Sequence, residues 1–263
     1  MVKVGFIGAG NMALALIKAI EKAGLASSVY ASDVKESRLK LVENETKAKA
    51  TPFNRVVINE SDVIFLAVKP QQMDKVLDDM KDTNKLVISI AAGITLKYLE
   101  GRLKKARVVR VMPNTPCLVG EMAAGFALGS KVKDEDAKAV EELLNSAGRG
   151  FLLKEDMLDA VTGLSGSGPA FVAYLIEGLI EGGVSQGLSK DVATELAVQT
   201  FLGTAKLLLE KGLSTKELID MVSSPGGTTA AGRKILENSD VKKILAKTVE
   251  AAAKRSKELG KGE

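Results

Sequence analysis

The chain has 263 residues, of which 46% are hydrophobic and 27% charged, an ordinary globular composition with room for one large domain or two small ones. Its 37 Lys and Arg against 33 Asp and Glu leave a formal charge of only +4, and 4% of residues are aromatic, which argues against a nucleic-acid-binding surface and leaves little to stack bases on. With no histidine and a single cysteine, Cys117, the chain cannot build His-based triads, His metal ligands, intrachain disulfides or multi-thiolate zinc sites.

In chain order, strand-length apolar runs at residues 2–7, 28–31, 63–68, 86–90, 108–112, 123–128 and 151–153 alternate with helical patterns at 12–23, 35–43, 71–80, 96–103 and 134–147. That alternation predicts βαβ units and a largely parallel sheet. After about Lys154 the periodicity is helical throughout. Pro169 suits the first turn of a helix running to about Gln186, and Ser189 can cap a long helix that stops at Gly212. Residues 214–217, Ser-Thr-Lys-Glu, form a capping box that opens a short helix. Ser239 or Asp240 caps a last helix ending at Gly260. The expected architecture is an α/β domain over residues 1–157 followed by an all-α domain over 158–263, with no low-complexity linker and no internal repeat.

The helix from Pro169 is apolar on nearly all faces and carries Gly178, Gly182 and Gly183, so it must be buried all round. A helical domain of this size offers it limited cover. Burial against a second copy is therefore expected, the alternative being the core of a single-chain bundle. Glu177 and Glu181 break the apolar stretch 171–184 well short of the ~20 residues of a membrane span. The N-terminus shows no signal-type segment, and the expectation is a cytoplasmic protein that avoids the membrane.

Without imidazole, chemistry falls to carboxylates, hydroxyls, lysines, backbone amides or a bound cofactor. Gly8-Ala9-Gly10-Asn11-Met12-Ala13 follows the first apolar run and opens an amphipathic segment, the G-x-G-x-x-A form of the dinucleotide fingerprint. The first glycine makes the turn, the second lets the backbone approach a pyrophosphate, and the helix N-terminus meets the phosphates. This places a Rossmann-type, doubly wound sheet at the N-terminus. Asp33 falls 20 residues after Ala13, where an acid binds a ribose 2′-hydroxyl and favours NAD. Ser32, Lys35 and Arg38 beside it suit a 2′-phosphate instead, so NAD and NADP both stay open.

Lys69, in Ala67-Val68-Lys69-Pro70, lies where a strand's carboxyl end meets ligand, and reads equally as a cofactor contact or a solvated cation. Asn114 reads as a nicotinamide contact or a turn-maker. Cys117, lacking an activating partner, reads as a small buried residue rather than a nucleophile. Two stretches in the helical half, 162–170 and 223–229, combine glycines, hydroxyls and a helix start; each suits a carboxylate nest or an ordinary helix connection.

Together, GFIGAGNMA at the start, AVKP at 67–70, VMPNTP at 111–116, TGLSGSGPAF at 162–171 and SSPGGTT at 223–229 resemble pyrroline-5-carboxylate reductase, in the right order along the whole chain. The resemblance implies reduction of L-Δ1-pyrroline-5-carboxylate to L-proline by NAD(P)H, the last step of proline biosynthesis. A protonated cyclic imine is already a strong hydride acceptor, so it needs positioning and a proton source rather than a metal or a His base. The resemblance also implies an intertwined dimer through the helical domain, extending to a decamer in many relatives.

By the same resemblance the substrate carboxylate falls to Ser224, Gly226, Gly227 and Thr228, with the amides of Gly227 and Thr228 as donors. Thr229 is the catalytic residue, hydrogen-bonded to the ring nitrogen. Cofactor contacts fall to Ile7, Gly8, Ala9, Gly10, Asn11, Met12, Ser32, Asn54, Ala67, Val68, Lys69, Pro70, Ile90, Ala91 and Ala92, and no metal is implied. Family habit favours NADPH, while Asp33 keeps NADH in play. The competing readings are a small Rossmann reductase acting on another imine or keto acid, and a non-catalytic dinucleotide sensor. Carbonyl reduction generally needs a stronger proton donor than any evident here.

Overall fold

The computed structural model describes residues 1–260. The N-terminal part alternates strand and helix: β1 (Val2–Ile7), α1 (Asn11–Lys22), β2 (Ala26–Ser32), α2 (Glu36–Glu45), β3 (Lys49–Thr51), α3 (Asn54–Glu60), β4 (Val63–Leu66), α4 (Met73–Asp79), β5 (Leu86–Ser89), α5 (Leu96–Arg102), β6 (Arg107–Met112), β7 (Met122–Leu128), α6 (Asp134–Asn145) and β8 (Gly148–Leu152). A short helix α7 (Leu158–Val161) runs into a π-helical turn at Thr162–Gly166. Then come α8 (Gly168–Ser185), α9 (Lys190–Lys211), α10 (Thr215–Met221), α11 (Thr228–Glu237) and α12 (Val241–Gly260). No strand follows Leu152 among the described residues.

The sheet has eight strands in the order β3-β2-β1-β4-β5-β6-β7-β8. Neighbours from β3 to β6 are parallel; β7 runs antiparallel to β6, and β8 parallel to β7. The sheet's period-2 alternation sorts its apolar side chains into two cores. Val4, Phe6, Val63, Phe65 and Ile88 join one core, while Ile7, Ile64, Leu66 and Val87 join the other. Phe6 and Phe65 stack with ring centroids 4.6 Å apart. Both faces are covered, which is why β1, β4 and β5 read as continuous apolar runs.

Two elements have no counterpart in the sequence pattern. β3 is a three-residue edge strand reading Lys-Ala-Thr, too short and polar to show a period. α3 follows it at once and buries only Val57. The last strand also begins earlier than the apolar run suggests, because Gly148 already pairs with Met122.

By contacts the chain forms two compact units, one of Met1–Ser167 together with the described residues from Glu250 onward, the other of Gly168–Val249. The contact division thus falls ten residues beyond the expected 157/158 border. The cause is local: Leu158 is fully buried, and Ser165 Oγ donates to the Ala123 carbonyl of β7 at 3.0 Å. The end of α12 belongs to the same unit, where Ser256 Oγ donates to Asp159 at 2.8 Å.

In the helical unit the expected caps are present. Ser189 caps α9 through the Val192 amide, Gly212 ends that helix in the left-handed region, and Ser214 with Glu217 completes the box on α10. Helix α8 has no buried residue, and α9 buries only Ala193 and Ala197. By length and composition alone α9 is apolar enough to cross a membrane, a feature that the sequence reading, fixed on residues 171–184, passed over.

Candidate functional site

The chain leaves β1 for β2 and β3 on one side, then returns to β4 on the other, so β1 and β4 flank the topological switch point. The turn after β1 is built by its glycines. Gly8 has φ +97°, and a Cβ there would lie 2.6 Å from the Ala67 carbonyl oxygen, so no other residue fits. Gly10 is different: its φ is −68° and a Cβ would meet nothing within 4 Å. The fold itself does not demand glycine there, and the space in front of it stays open. Gly10 is also the N-cap of α1, which has no side-chain cap and no acidic residue in its first turn. The first amides of α1 and the positive end of its dipole are therefore available to an anion. This cradle fits the pyrophosphate of a dinucleotide.

Around it the backbone is stitched tightly. The Gly8 amide donates to Ser32 O at 2.8 Å, Ala67 N to Ile7 O at 2.8 Å, and Ile90 N to Leu66 O at 3.1 Å. Ser32 is fully buried at the end of β2 and donates to Asn54 Oδ1 at 2.8 Å; Asn54 Nδ2 donates in turn to Asp79 at 3.0 Å. Residues Ile7 through Met12, Ser32, Ala67 through Pro70 and Ile90 through Ala92 follow or end β1, β2, β4 and β5, and Asn54 opens α3. Ile7, Gly8, Ser32, Asp33, Asn54 and Val68 share one cleft, and Gly10, Asn11, Lys35, Arg38 and Lys69 share its neighbour. Gln72 lines both clefts and Lys75 the first; they belong to the turn and helix after β4, and no motif marked them.

Several open alternatives resolve toward structure. Asn114 is buried and serves as a clamp: its Nδ2 donates to Ser165 O at 3.1 Å and its Oδ1 accepts from Ala123 N at 2.9 Å. Residues 162–167, six of the nine in the stretch read as either a carboxylate nest or a helix connection, form that clamped π-turn. Cys117 is buried, and burial pushes its thiol up to about 11, so it stays protonated and inert near neutral pH. Lys69 is exposed. Glu155, unmarked in the sequence, accepts from Leu96 N at 2.7 Å and from the buried Arg110 at 3.0 Å, tying the start of α5 to β6.

The 223–229 loop lies in the helical unit and ends at the start of α11. Gly226 has φ +71°, and a Cβ on Gly227 would lie 2.4 Å from Ser224 Oγ. One expectation needs correcting: the Gly227 amide is spent inside the loop, donating to Ser224 O at 3.0 Å. The donors that helix geometry leaves free are those of Thr228, Thr229 and Ala230. Gly227 caps α11 with no side-chain bond, so that helix end also remains open. Ser223 Oγ is buried without a partner.

Across 98% of both chains, this sequence is 45% identical to the pyrroline-5-carboxylate reductase of Methanosarcina acetivorans. The chain belongs to the pyrroline-5-carboxylate reductase family. The Arabidopsis thaliana reductase is 40% identical over 98% of this chain and 95% of its own. Residues 155–259 match the family model described as pyrroline-5-carboxylate reductase dimerisation, and residues 3–93 the one described as NADP oxidoreductase, coenzyme F420-dependent. Among solved structures, the Coxiella burnetii reductase has a TM-score of 0.92 at 34% identity, covering 97% of each chain. The Plasmodium falciparum reductase, solved with NADP bound, has a TM-score of 0.85 at 34% identity over 98% of each. Family membership accounts for the bare faces of α8 and α9, since the dimerisation match spans both helices.

Proposed function

We propose that the chain reduces L-Δ1-pyrroline-5-carboxylate to L-proline with NAD(P)H, the last step of proline biosynthesis. The observation that carries this reading is the match at 45% identity over 98% of the chain, which takes in both the Gly8–Gly10 turn and the 223–229 loop. Residues 1–157 hold the dinucleotide; residues 158–263 hold the substrate and make the dimer. The Gly8–Gly10 turn and the first amides of α1 take the pyrophosphate. Ser32 and Asn54 sit at the adenosine end, and Val68, Lys69, Pro70, Ile90, Ala91 and Ala92 line the nicotinamide end. A bound reduced nicotinamide supplies the hydride.

The substrate needs little more than placement, because a protonated imine carbon accepts hydride without a metal or an imidazole. Ser224 and the amides of Thr228 and Thr229 hold the carboxylate at the open N-terminus of α11. Gly226 and Gly227 give the loop its shape. The Thr229 hydroxyl bonds the ring nitrogen and keeps its proton in place.

NADPH is the preferred reductant; the NADP in the Plasmodium falciparum relative and the description of the 3–93 match support this choice. The dimer is intertwined through the helical half and assembles further into a decamer. The weak net charge of +4 supports activity away from nucleic acid. The dimerisation match over α9 supports burial of its apolar surface by a second copy rather than by lipid, in a cytoplasmic enzyme.

The test is cofactor oxidation by purified protein with pyrroline-5-carboxylate, run in parallel with NADPH and NADH. Rapid turnover, faster with NADPH, is expected. Protein that binds either cofactor yet turns over no imine is a non-catalytic binder, and turnover confined to keto acids transfers the activity to the other reductase class.

A further inference from the structure

Asp33 occupies the position where an acid commonly reads the ribose diol, yet its carboxylate is turned to other work. One oxygen accepts the Ala9 amide at 2.9 Å and the other accepts the Lys35 amide at 2.9 Å. The carbonyl of the same residue, in the next peptide group, is held as well: Arg38 Nε donates to Ala9 O at 2.7 Å, and its terminal nitrogen donates to Asn11 Oδ1 at 2.9 Å. Ala9 is the residue between the two glycines of the phosphate turn, and it is fully buried. Its N–H and C=O are thus both gripped by charged side chains from the β2–α2 connection and the first turns of α2. Gly8 adds a third tie, to Ser32 O at 2.8 Å. Charge-assisted bonds of this kind are the strong ones, and they fix orientation as well as position.

We propose that Asp33 and Arg38 are positioning residues that hold the two peptide groups flanking Ala9, one through its N–H and the other through its C=O, and so keep the phosphate turn in its binding shape, so that Asp33 does not select the ribose. This inference rests on the dinucleotide reading and deepens it. The clamp makes the turn a preformed site, so it acts on every dinucleotide through the pyrophosphate they share. Discrimination between a 2′-hydroxyl and a 2′-phosphate falls to other groups of the cleft.

The test measures dissociation constants of NADPH and NADH by fluorescence or calorimetry, at fixed ionic strength, for the full-length wild type, Asp33→Ala, Asp33→Asn and Arg38→Gln. Amide hydrogen exchange over residues 8–13 is followed in the same proteins without cofactor. For Asp33→Ala the expected result is about a tenfold loss for both dinucleotides, a typical size for one charged hydrogen bond. The NADPH/NADH ratio stays within about threefold of wild type, and the turn exchanges faster. Asp33→Asn, which keeps one acceptor, falls between wild type and Ala and covers the case in which Ala folds poorly. Arg38→Gln weakens both dinucleotides alike.

A shift of about tenfold or more in the ratio toward NADPH on losing Asp33, with exchange at the turn unchanged, makes Asp33 a ribose reader and overturns the proposal. A loss confined to NADPH in Arg38→Gln overturns the arginine half in the same way. Wild-type protein that binds neither dinucleotide removes the underlying reading itself, a result distinct from either.

Discussion

The two units of this chain solve the burial of apolar side chains in opposite ways. In the sheet unit, Phe6, Phe65, Ile64 and Leu66 have 0% exposure, each sealed by helices of the same chain. In the helical unit, Tyr174 is 76% exposed and Leu179 56%, on a helix with no buried residue. Composition alone does not separate them, since α8 is itself predominantly apolar. What differs is geometry. A sheet has two faces and its own crossover helices can cover both, whereas a helix apolar on every side needs neighbours all round. One unit is therefore complete as a single chain, and the other carries an apolar surface of the kind that marks an interface. The dimerisation match over 155–259 supplies the missing cover.

The largest effect that would sharpen this contrast belongs to the sheet unit. Phe65→Ala removes one of two stacked rings from a closed core and should cost about 3–5 kcal/mol of unfolding free energy. Measured by denaturant titration, that loss should not depend on protein concentration. The counterpart is Leu196→Glu on α9, where Leu196 is 55% exposed in the single chain. A charge there costs little in a lone subunit but a great deal once desolvated, so association should weaken by at least about 100-fold, or roughly 3 kcal/mol. Sedimentation would show subunits separating at concentrations where wild type stays assembled. Wild-type thermal stability should also rise with protein concentration. If Leu196→Glu assembles normally, α9 is not the covered face.

The sheet unit was legible because its strands are buried on both faces and its first turn is spelled out in glycine. Only the short polar β3 and the helix after it escaped. The bare faces of α8 were legible for a related reason: no arrangement of one chain hides a helix of that kind. What sequence could not show were roles set by three-dimensional neighbours. Asn114 sits in a motif, yet it is a clamp, because Ser165 and Ala123 arrive beside it from 51 and 9 residues away. Asp33 stood at the right spacing for a ribose reader, and only the fold reveals that the amides of Ala9 and Lys35 claim its oxygens. Glu155 belonged to no motif at all, although it is the carboxylate that pairs with the buried Arg110.

Between the units, chemistry should divide as cleanly as packing does. Thr229→Ala, in the helical unit, should lower kcat by about 100-fold, the lower end of what a positioned proton-handling group contributes. Dissociation constants for NADPH should stay unchanged, because the residues assigned to the cofactor all lie in the sheet unit. Rapid-mixing and equilibrium binding separate the two quantities. Full activity in this variant would return the proton to water and leave Thr229 as a helix-start residue only.

The smallest effect tests whether the helical unit's local structure stands on its own caps. Ser214 donates to Glu217 from its amide at 2.8 Å and from its hydroxyl at 2.7 Å, while the Glu217 amide donates back to Ser214 Oγ at 3.2 Å. Those bonds from the Ser214 backbone and side chain hold the Glu217 carboxyl below its ordinary value. A carboxyl depressed in the folded state stabilises at pH above its unfolded value, about 4.3, and that contribution fades as pH falls through the folded value. Ser214→Ala should cost about 1 kcal/mol near neutral pH. Glu217→Gln should flatten the acid side of the stability curve, where pH falls below the unfolded carboxyl value of about 4.3, and the two substitutions together should cost less than their sum because they share the same bonds. Additive losses would mean that the box contributes through each residue separately. The short α10 would then owe its place to the packing of Leu218, its one buried side chain, rather than to its caps.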